Sequence, residues 1–131
     1  MHALVAEAIK KASIIWVSTA TDQSPYPLWC LPSDGSLYVV TGGAEQPAPG
    51  LIEAHTATVA ARGDHGGRIA TWRVTVDVVA PGDEEWSAIA LPLAGKRLNS
   101  PESAAELVEV WATGSTVVRL SALDDELLPA T

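Results

Sequence analysis

The stretch at residues 68–79 constrains the fold of this chain most strongly, because its side chains alternate between two chemical kinds. Ala70, Trp72, Val74, Val76 and Val78 fall at every second position, and most of the residues between them are polar or charged. A repeat of two places successive side chains on opposite faces of a β-strand. We therefore predict a long strand with one face in a core and the other in water or at an interface.

Further strand signals surround this stretch. Residues 56–62 are rich in Thr, Ala and Val, and Gly63, Gly66 and Gly67 supply a turn that joins them to it as a long hairpin. Four other short runs are β-branched or aromatic and are bounded by turn residues. They are residues 14–20, 26–31, 37–41 and 116–120. Six short, mostly antiparallel strands predict a small barrel rather than a parallel sheet.

Helical spacing of apolar residues predicts helices before and between these strands. The first lies near the N-terminus, and a short helical run is expected at residues 51–54. A further helix starts after Asp83, and Pro92 should end or distort it. Ser100 is the predicted cap of a last helix that Pro101 begins. The chain is thus predicted to be one mainly β domain over residues 1–131, with a six-stranded antiparallel barrel, three to four peripheral helices, a core at 3–122 and an acidic tail at 123–131.

Charge limits the partners that this chain can have. Sixteen acidic residues against eight basic ones give a net charge of −8. Lys and Arg contacts to phosphate dominate nucleic-acid binding, so this balance argues against DNA or RNA and against an anionic membrane surface.

Cysteine usage and the N-terminal residues bear on the compartment. Cys30 is the only cysteine of the 131 residues, so no disulfide can form within the chain. The apolar run at the N-terminus is too short for a signal peptide or a membrane span. We predict a cytoplasmic protein without a metal site or a catalytic acid–base motif.

Residues 41–51, here called the 41–51 loop, are the best candidate for a binding site. Thr41 and Gly42 follow an apolar strand, and the rest of the loop is rich in Gly and Pro. If a helix begins at its end, the first N–H groups of that helix point outward and favour an anion. The loop contains no Lys or Arg, and Glu45 is its one charge.

The order of the predicted elements and the amino-acid sequences of three strands resemble those of the pyridoxamine 5'-phosphate oxidase-like split-barrel superfamily. The matching segments are residues 14–19 (IIWVST), 27–29 (PLW) and 37–41 (LYVVT), and the order covers nearly all of residues 3–122. The resemblance implies a homodimeric split β-barrel that binds FMN or a deazaflavin at the dimer interface. It also implies flavin- or deazaflavin-dependent oxidation or reduction of a small molecule, while some relatives bind haem.

The resemblance also indicates where this chain departs from its relatives. They usually carry a Lys or Arg, two residues and then Asn-Leu at the start of the helix, whereas this chain has Pro47 and Gly50 before Leu51. Loss of a cation bonded to phosphate should cost about 1.5–3 kcal/mol, roughly one to two decades in affinity. Arg62 could replace it from the next strand, and Lys96 or Arg97 could do so from the partner chain.

The predicted cofactor-binding residues therefore come from several segments. They are Trp29, Thr41, Gly42, Gln46, Arg62, Lys96 and Arg97. Several of them have a structural alternative: Trp29 could stack on a planar ligand or belong to the core, and Gln46 could contact a ring edge or lie in a solvated turn. The competing hypothesis for the whole chain is a cofactor-free homodimer that binds another small molecule or serves as an interaction module. Haem is a third possibility, and His55 has no local ligand motif to support it.

Overall fold

The computed structural model describes residues 3–19, 24–62, 69–97 and 102–123. Within them, three helices and seven strands are present. The helices are α1 (Ala3–Lys11), α2 (Glu84–Gly95) and α3 (Ala104–Gly114). The strands are β1 (Ile14–Ser18), β2 (Tyr26–Trp29), β3 (Leu31–Ser33), β4 (Ser36–Thr41), β5 (Thr56–Arg62), β6 (Ile69–Val79) and β7 (Thr116–Ala122).

All seven strands form one antiparallel sheet in the order β2-β1-β5-β6-β7-β4-β3. The two edge strands, β2 and β3, follow each other in the chain, and only Cys30 stands between them. The two ends of the sheet are therefore held close together, and the sheet curls into a nearly closed barrel. This confirms the prediction of a mainly β antiparallel barrel with helices outside it.

The number of strands differs from the prediction by one. Residues 26–31 were expected to form a single strand, but the strand is interrupted at Cys30, whose N–H donates to the carbonyl of Ser13 at 3.0 Å. Before the break β2 pairs with β1, and after it β3 pairs with β4. Pro32 is tolerated in β3 because an edge strand does not need every N–H for the sheet.

The barrel interior contains the first of two apolar clusters. Ala70, Trp72 and Val74 of β6 are buried in it, as the alternation predicts. Val76 lies at its margin, and Val78 is 51% exposed because β5 pairs with β6 only as far as Thr75. Helix α1 covers one end with Val5 and Ile9.

The second cluster lies outside the barrel, under α2 and α3. Tyr38 and Val40 of β4 and Val117 of β7 face these helices and pack against side chains such as Trp86 and Trp111. Their neighbours Leu37 and Val39 point into the barrel. Strand β4 is consequently buried on both faces, which accounts for its almost unbroken apolar sequence.

The helix ends differ from those predicted. Helix α2 continues through Pro92 as far as Gly95, and Pro92 lies on its exposed side, where its ring meets solvent rather than the core. Helix α3 begins at Ala104, capped by Ser103 rather than by Ser100, because Ser103 and Glu106 form a reciprocal capping box. Ser100 and Pro101 themselves lie outside the described residues. None of the described helices is long and apolar enough to cross a membrane.

A second outer surface of the barrel is covered by none of the three helices. It consists of the outward side chains of β1, β2 and β5, and we call it the uncovered face. Ile14 and Trp16 of β1 are its apolar centre, with 57% and 44% of their surface exposed. Trp16 lies beside Pro27 of β2 and Ala60 of β5.

Candidate functional site

The 41–51 loop borders a cavity of about 350 Å³. The cavity lies between this loop, the paired strands β1 and β2, and the end of α2. We call it the loop cavity, and its lining residues are Ile14, Trp29, Ala44, Glu45, Gln46, Lys96 and Arg97. Ile14 and Trp29 are register partners, so the cavity adjoins the uncovered face.

Gln46 fixes the loop to the edge of the sheet. Its side-chain oxygen accepts a hydrogen bond from the Trp29 N–H at 2.9 Å, and its amide nitrogen donates to the Trp29 carbonyl at 3.0 Å. The same nitrogen donates to the Val40 carbonyl at 3.2 Å. The Gln46 side chain thus forms the pair of backbone hydrogen bonds that a neighbouring strand would form with β2. Its amide group orients Trp29 and is not presented to the cavity.

Thr41 and Gly42 shape the start of the loop. The buried Thr41 hydroxyl donates to the Gln46 carbonyl at 2.7 Å, so it closes the loop upon itself. Gly42 has a φ of +90°, and its carbonyl accepts a hydrogen bond from the Ser115 hydroxyl at 3.0 Å. Both residues therefore shape the loop backbone. They were predicted to bind the cofactor, but the structure places them beside the cavity and not in its lining.

Glu45 has partners that the sequence did not indicate. Its carboxylate accepts hydrogen bonds from Arg97 Nε at 3.0 Å and from Trp111 Nε1 at 3.1 Å. The Glu45 side chain is only 3% exposed. A buried carboxylate needs such partners, because its desolvation is otherwise uncompensated. The partners lie 52 and 66 residues away along the chain, so no local motif could have predicted them.

Lys96 and Arg97 lie at the end of α2 and line the cavity of their own chain, whereas the prediction placed them at the cofactor of a partner chain. Lys96 Nζ donates to the Cys30 carbonyl at 3.0 Å. Four predicted residues, Trp29, Gln46, Lys96 and Arg97, are therefore brought to one cavity. The side chain of Arg62, at the end of β5, lies outside the described residues.

The Cys30 thiol shows no sign of reactivity. Burial raises its pKa to about 12, against the weaker opposing effect of Lys96. Because the thiolate is the nucleophilic form, this environment is that of a structural cysteine.

The helical run expected at residues 51–54 is not a helix. The Leu51 N–H donates to the Ala48 carbonyl, and the Ala54 N–H donates to the Leu51 carbonyl, so the segment consists of turns. Gly50 has a φ of +79°, outside the helical range, and β5 begins only a few residues later. The predicted helix start, with its outward N–H groups for an anion, is therefore absent here.

A second polar cluster lies under the N-terminal end of α2, whereas the loop cavity lies at its C-terminal end. Glu85 Oε2 accepts a hydrogen bond from the Tyr38 hydroxyl at 2.6 Å, and both Glu85 oxygens accept from Arg119 Nη1 at 2.7 Å. Arg119 also pairs with Asp77 at 3.4 Å. Burial and the hydrogen bond to Glu85 raise the pKa of Tyr38 to about 12. These groups are paired among themselves and join α2 to the sheet.

Two other places carry polar or titratable side chains. A cavity of about 360 Å³ lies between α1 and the β3–β4 hairpin, and its charged lining residues are Glu7, Lys10 and Asp34. His55 lies exposed before β5 and is not among the lining residues of the loop cavity. The loop cavity is the one that gathers several of the residues predicted from the sequence.

Comparison of the sequence with models of known families gives no match, and no curated protein matches it either. Solved structures, however, are similar over most of the chain. HutZ, a haem storage protein from Vibrio cholerae, shares 13% identity at a TM-score of 0.62, covering 98% of this chain and 94% of that one. A FAD-binding protein from Mesorhizobium loti shares 16% identity at a TM-score of 0.61, covering 95% and 90%.

A third similar structure is a candidate pyridoxamine 5'-phosphate oxidase from Corynebacterium glutamicum. It shares 18% identity at a TM-score of 0.55, covering 90% of this chain and 82% of that one. The likeness at these identities concerns the fold. This chain has the split β-barrel fold of the pyridoxamine 5'-phosphate oxidase-like proteins, which confirms the resemblance read from its strands.

Proposed function

We propose that this split-barrel chain is a flavin- or deazaflavin-binding, oxidoreductase-like protein that acts on a small molecule as a homodimer. The loop cavity is the observation that carries the proposal. It brings Trp29, Gln46, Lys96 and Arg97 together beside the 41–51 loop. A FAD-binding protein with the same fold supports a flavin as the ligand.

The planar ring of a flavin suits the apolar side of this cavity. Ile14 and Trp29 form a wall there, and Gln46 holds the backbone of Trp29 by two hydrogen bonds. Aromatic side chains bind planar rings by stacking or edge contact. The cavity volume of about 350 Å³ lies near the lower end of the ~300–1,000 Å³ typical of ligand sites. A second copy of the chain that packed beside the cavity would enlarge the site.

The uncovered face supports a homodimer. Ile14 and Trp16 expose apolar surface on a part of the sheet that no described helix covers. Contiguous exposed apolar surface on a soluble protein typically marks an interaction site. Because Ile14 belongs both to this face and to the loop cavity, a partner copy packed here would also lie against the ligand.

A bound flavin or deazaflavin supplies the hydride chemistry, and the chain supplies binding and orientation. Trp29 and Ile14 would contact the ring and exclude water from one of its faces. Lys96 places a positive charge at the cavity wall, where it can hold polar atoms of the ligand. No acid or base of the chain is needed for this role. We also propose a cytoplasmic protein, on the basis of its single cysteine.

The test is the visible spectrum of the purified protein, followed by thermal unfolding with flavins, a deazaflavin and haem. A ligand that binds only the folded state must raise the melting temperature. We expect flavin absorption or a clear rise in melting temperature with a flavin or deazaflavin. A colourless protein whose melting temperature is unchanged by every one of these ligands would contradict the proposal.

A Trp29→Ala variant tests the location of the site. Loss of an aromatic contact worth about 0.5–1.5 kcal/mol should weaken flavin binding about two- to tenfold. Leu91→Ala is the matched control, because Leu91 is exposed on α2 and does not line the cavity. Equal affinity in the Trp29→Ala variant and the wild type would place the ligand elsewhere.

The cofactor-free alternative also has an observation in its favour. Gln46 and Glu45 use their polar atoms within the chain, and Lys96 and Arg97 each have a partner there. Such a cavity can be stable without a ligand. The proposal would then reduce to a homodimer that binds another small molecule or a partner protein.

A further inference from the structure

We infer that the loop cavity selects a flavin without a phosphate group, so that riboflavin binds at least as tightly as FMN. This inference rests on the proposed function and names the ligand class of the same site. It follows from three features of the described residues: the backbone of the 41–51 loop, the pairing of Glu45 with Arg97, and the charge that remains at the cavity wall.

Four backbone positions of the 41–51 loop have no free N–H to offer a phosphate. Pro47 and Pro49 have no N–H to donate. The N–H groups of Glu45 and Leu51 already bond to carbonyls within the loop, at 3.0 and 3.2 Å. Turns occupy residues 51–53, so the N–H groups of a helix start are not presented to the cavity.

Glu45 occupies the role that a ligand phosphate would otherwise have toward Arg97. The carboxylate lies 3.0 Å from Arg97 Nε and is nearly fully buried, while the Arg97 side chain is 22% exposed, so the ion pair is partly shielded from water. Trp111 Nε1 holds the same carboxylate from the other side at 3.1 Å. A phosphate that approached Arg97 would meet the negative charge of Glu45, and like charges at short range repel strongly where water is excluded.

The charge that remains at the wall suits a neutral ligand better than a dianion. Among the lining residues that the structure describes, Glu45 offsets one of the two cations, Lys96 and Arg97, which leaves a single positive charge there. Lys96 Nζ already donates to the Cys30 carbonyl and can donate further to a ring carbonyl or a ribityl hydroxyl. A phosphate with two charges needs more compensation than this wall provides.

The first experiment uses the wild-type protein and needs no variant. Riboflavin and FMN are titrated separately, and binding is followed by flavin fluorescence and by isothermal calorimetry. We expect the dissociation constant of FMN to be equal to or larger than that of riboflavin. FMN binding tenfold tighter than riboflavin would overturn the inference and leave the proposed flavin site intact. Binding of neither riboflavin nor FMN would overturn the inference, and it would overturn the proposed function as well only if no deazaflavin binds.

The second experiment uses Glu45→Gln, which keeps the shape of the side chain and removes its charge. With the negative charge of Glu45 removed from the cavity, FMN affinity should rise roughly tenfold to hundredfold, the range of a charge-assisted hydrogen bond, while riboflavin affinity changes less. The control is Glu84→Gln, which changes the net charge equally. Glu84 lies at the opposite end of α2 from Lys96, about 18 Å away by helix rise.

The variant also has a result that would overturn the inference. If Glu45→Gln folds, as circular dichroism and thermal unfolding would show, and FMN affinity relative to riboflavin is unchanged, Glu45 does not exclude phosphate. If the variant does not fold, the ratio of the two wild-type dissociation constants decides between support and refutation.

Discussion

At the scale of single residues, Glu85 connects three parts of the molecule. Its carboxylate, on α2, accepts hydrogen bonds from Tyr38 on β4 and Arg119 on β7. Burial by itself would raise the pKa of Glu85, but the hydrogen bonds from Tyr38 and Arg119 and the charge of Arg119 outweigh it, and the pKa is lowered. The ionised carboxylate therefore stabilises the folded state.

This direction predicts how stability depends on pH. A pKa lowered by folding contributes stability above the unfolded value, here 4.5, and that contribution is lost as the pH falls through the folded value. Glu85→Gln should lower the free energy of unfolding by about 1 kcal/mol at pH 7 and by less at pH 3.5. Urea unfolding at both pH values measures this, with Glu84→Gln as control. A loss of equal size at both would contradict the assignment.

Gly43 permits a close approach that no other residue would allow. It has a φ of +62°, and an added Cβ would lie 2.5 Å from the Gly114 carbonyl oxygen. This contact joins the 41–51 loop to the end of α3. The glycine is thus required both by its backbone conformation and by its neighbour.

We predict that Gly43→Ala destabilises the protein by about 2–4 kcal/mol, since a steric clash adds to the cost of the left-handed backbone. Gly35→Ala is the matched control, because Gly35 has a φ of +82° and an added Cβ there would meet nothing within 4 Å. Chemical denaturation measures both variants. Equal destabilisation would show that backbone conformation alone, and not the contact with Gly114, determines the effect.

At the scale of elements, a short sequence motif marks the true start of α3, although the prediction placed that start at Ser100. The Ser103 hydroxyl accepts from the Glu106 N–H at 3.2 Å, and the Glu106 carboxylate accepts from the Ser103 N–H at 3.1 Å. The spacing Ser-x-x-Glu is the known signature of this capping box. Ser100 and Pro101 suggested an earlier start because a serine before a proline carries the same signal.

Removal of this cap should destabilise α3 and the apolar cluster under it. Ser103→Ala should cost about 1 kcal/mol of stability, the usual value for loss of an N-cap side chain. The change is measured as a shift in the denaturation midpoint, and Ala105→Ser, at an exposed position of the first turn, serves as control. No shift for Ser103→Ala would mean that packing of Leu107 and Trp111 alone fixes the helix start.

At the scale of the whole molecule, the uncovered face determines the oligomeric state that we propose. Trp16 is 44% exposed at its centre in a single chain. Buried tryptophans are often the residues that contribute most to protein–protein affinity. A dimer through this face would place two loop cavities beside the interface, since Ile14 borders both.

Trp16→Lys should raise the dimer dissociation constant at least about tenfold. Sedimentation velocity over a range of protein concentrations measures the change. Leu91→Lys is the control, because Leu91 is 53% exposed on α2 and lies apart from the uncovered face. A dimer that persists unchanged in the Trp16→Lys variant would locate the interface elsewhere.

The sequence by itself determined most of the local elements and, for β6, the side that faces the core. The alternation along residues 68–79 predicted β6, and Ala70, Trp72 and Val74 lie inside the barrel. Alternation is a local property, because successive side chains of a strand must point in opposite directions. The order of the elements, together with the resemblance of residues 14–19, 27–29 and 37–41 to known relatives, indicated the split barrel.

Only the tertiary structure decided where the strands break, which partners the side chains of the 41–51 loop have, and which conformation follows that loop. Cys30 interrupts a strand because β2 and β3 pair with different neighbours, which the residues around Cys30 do not encode. Glu45 is paired with Arg97, 52 residues away, and the segment after Gly50 forms turns rather than a helix. Contacts between distant residues depend on the closure of the barrel, so no local pattern could show that the Glu45 carboxylate is paired with Arg97 and Trp111.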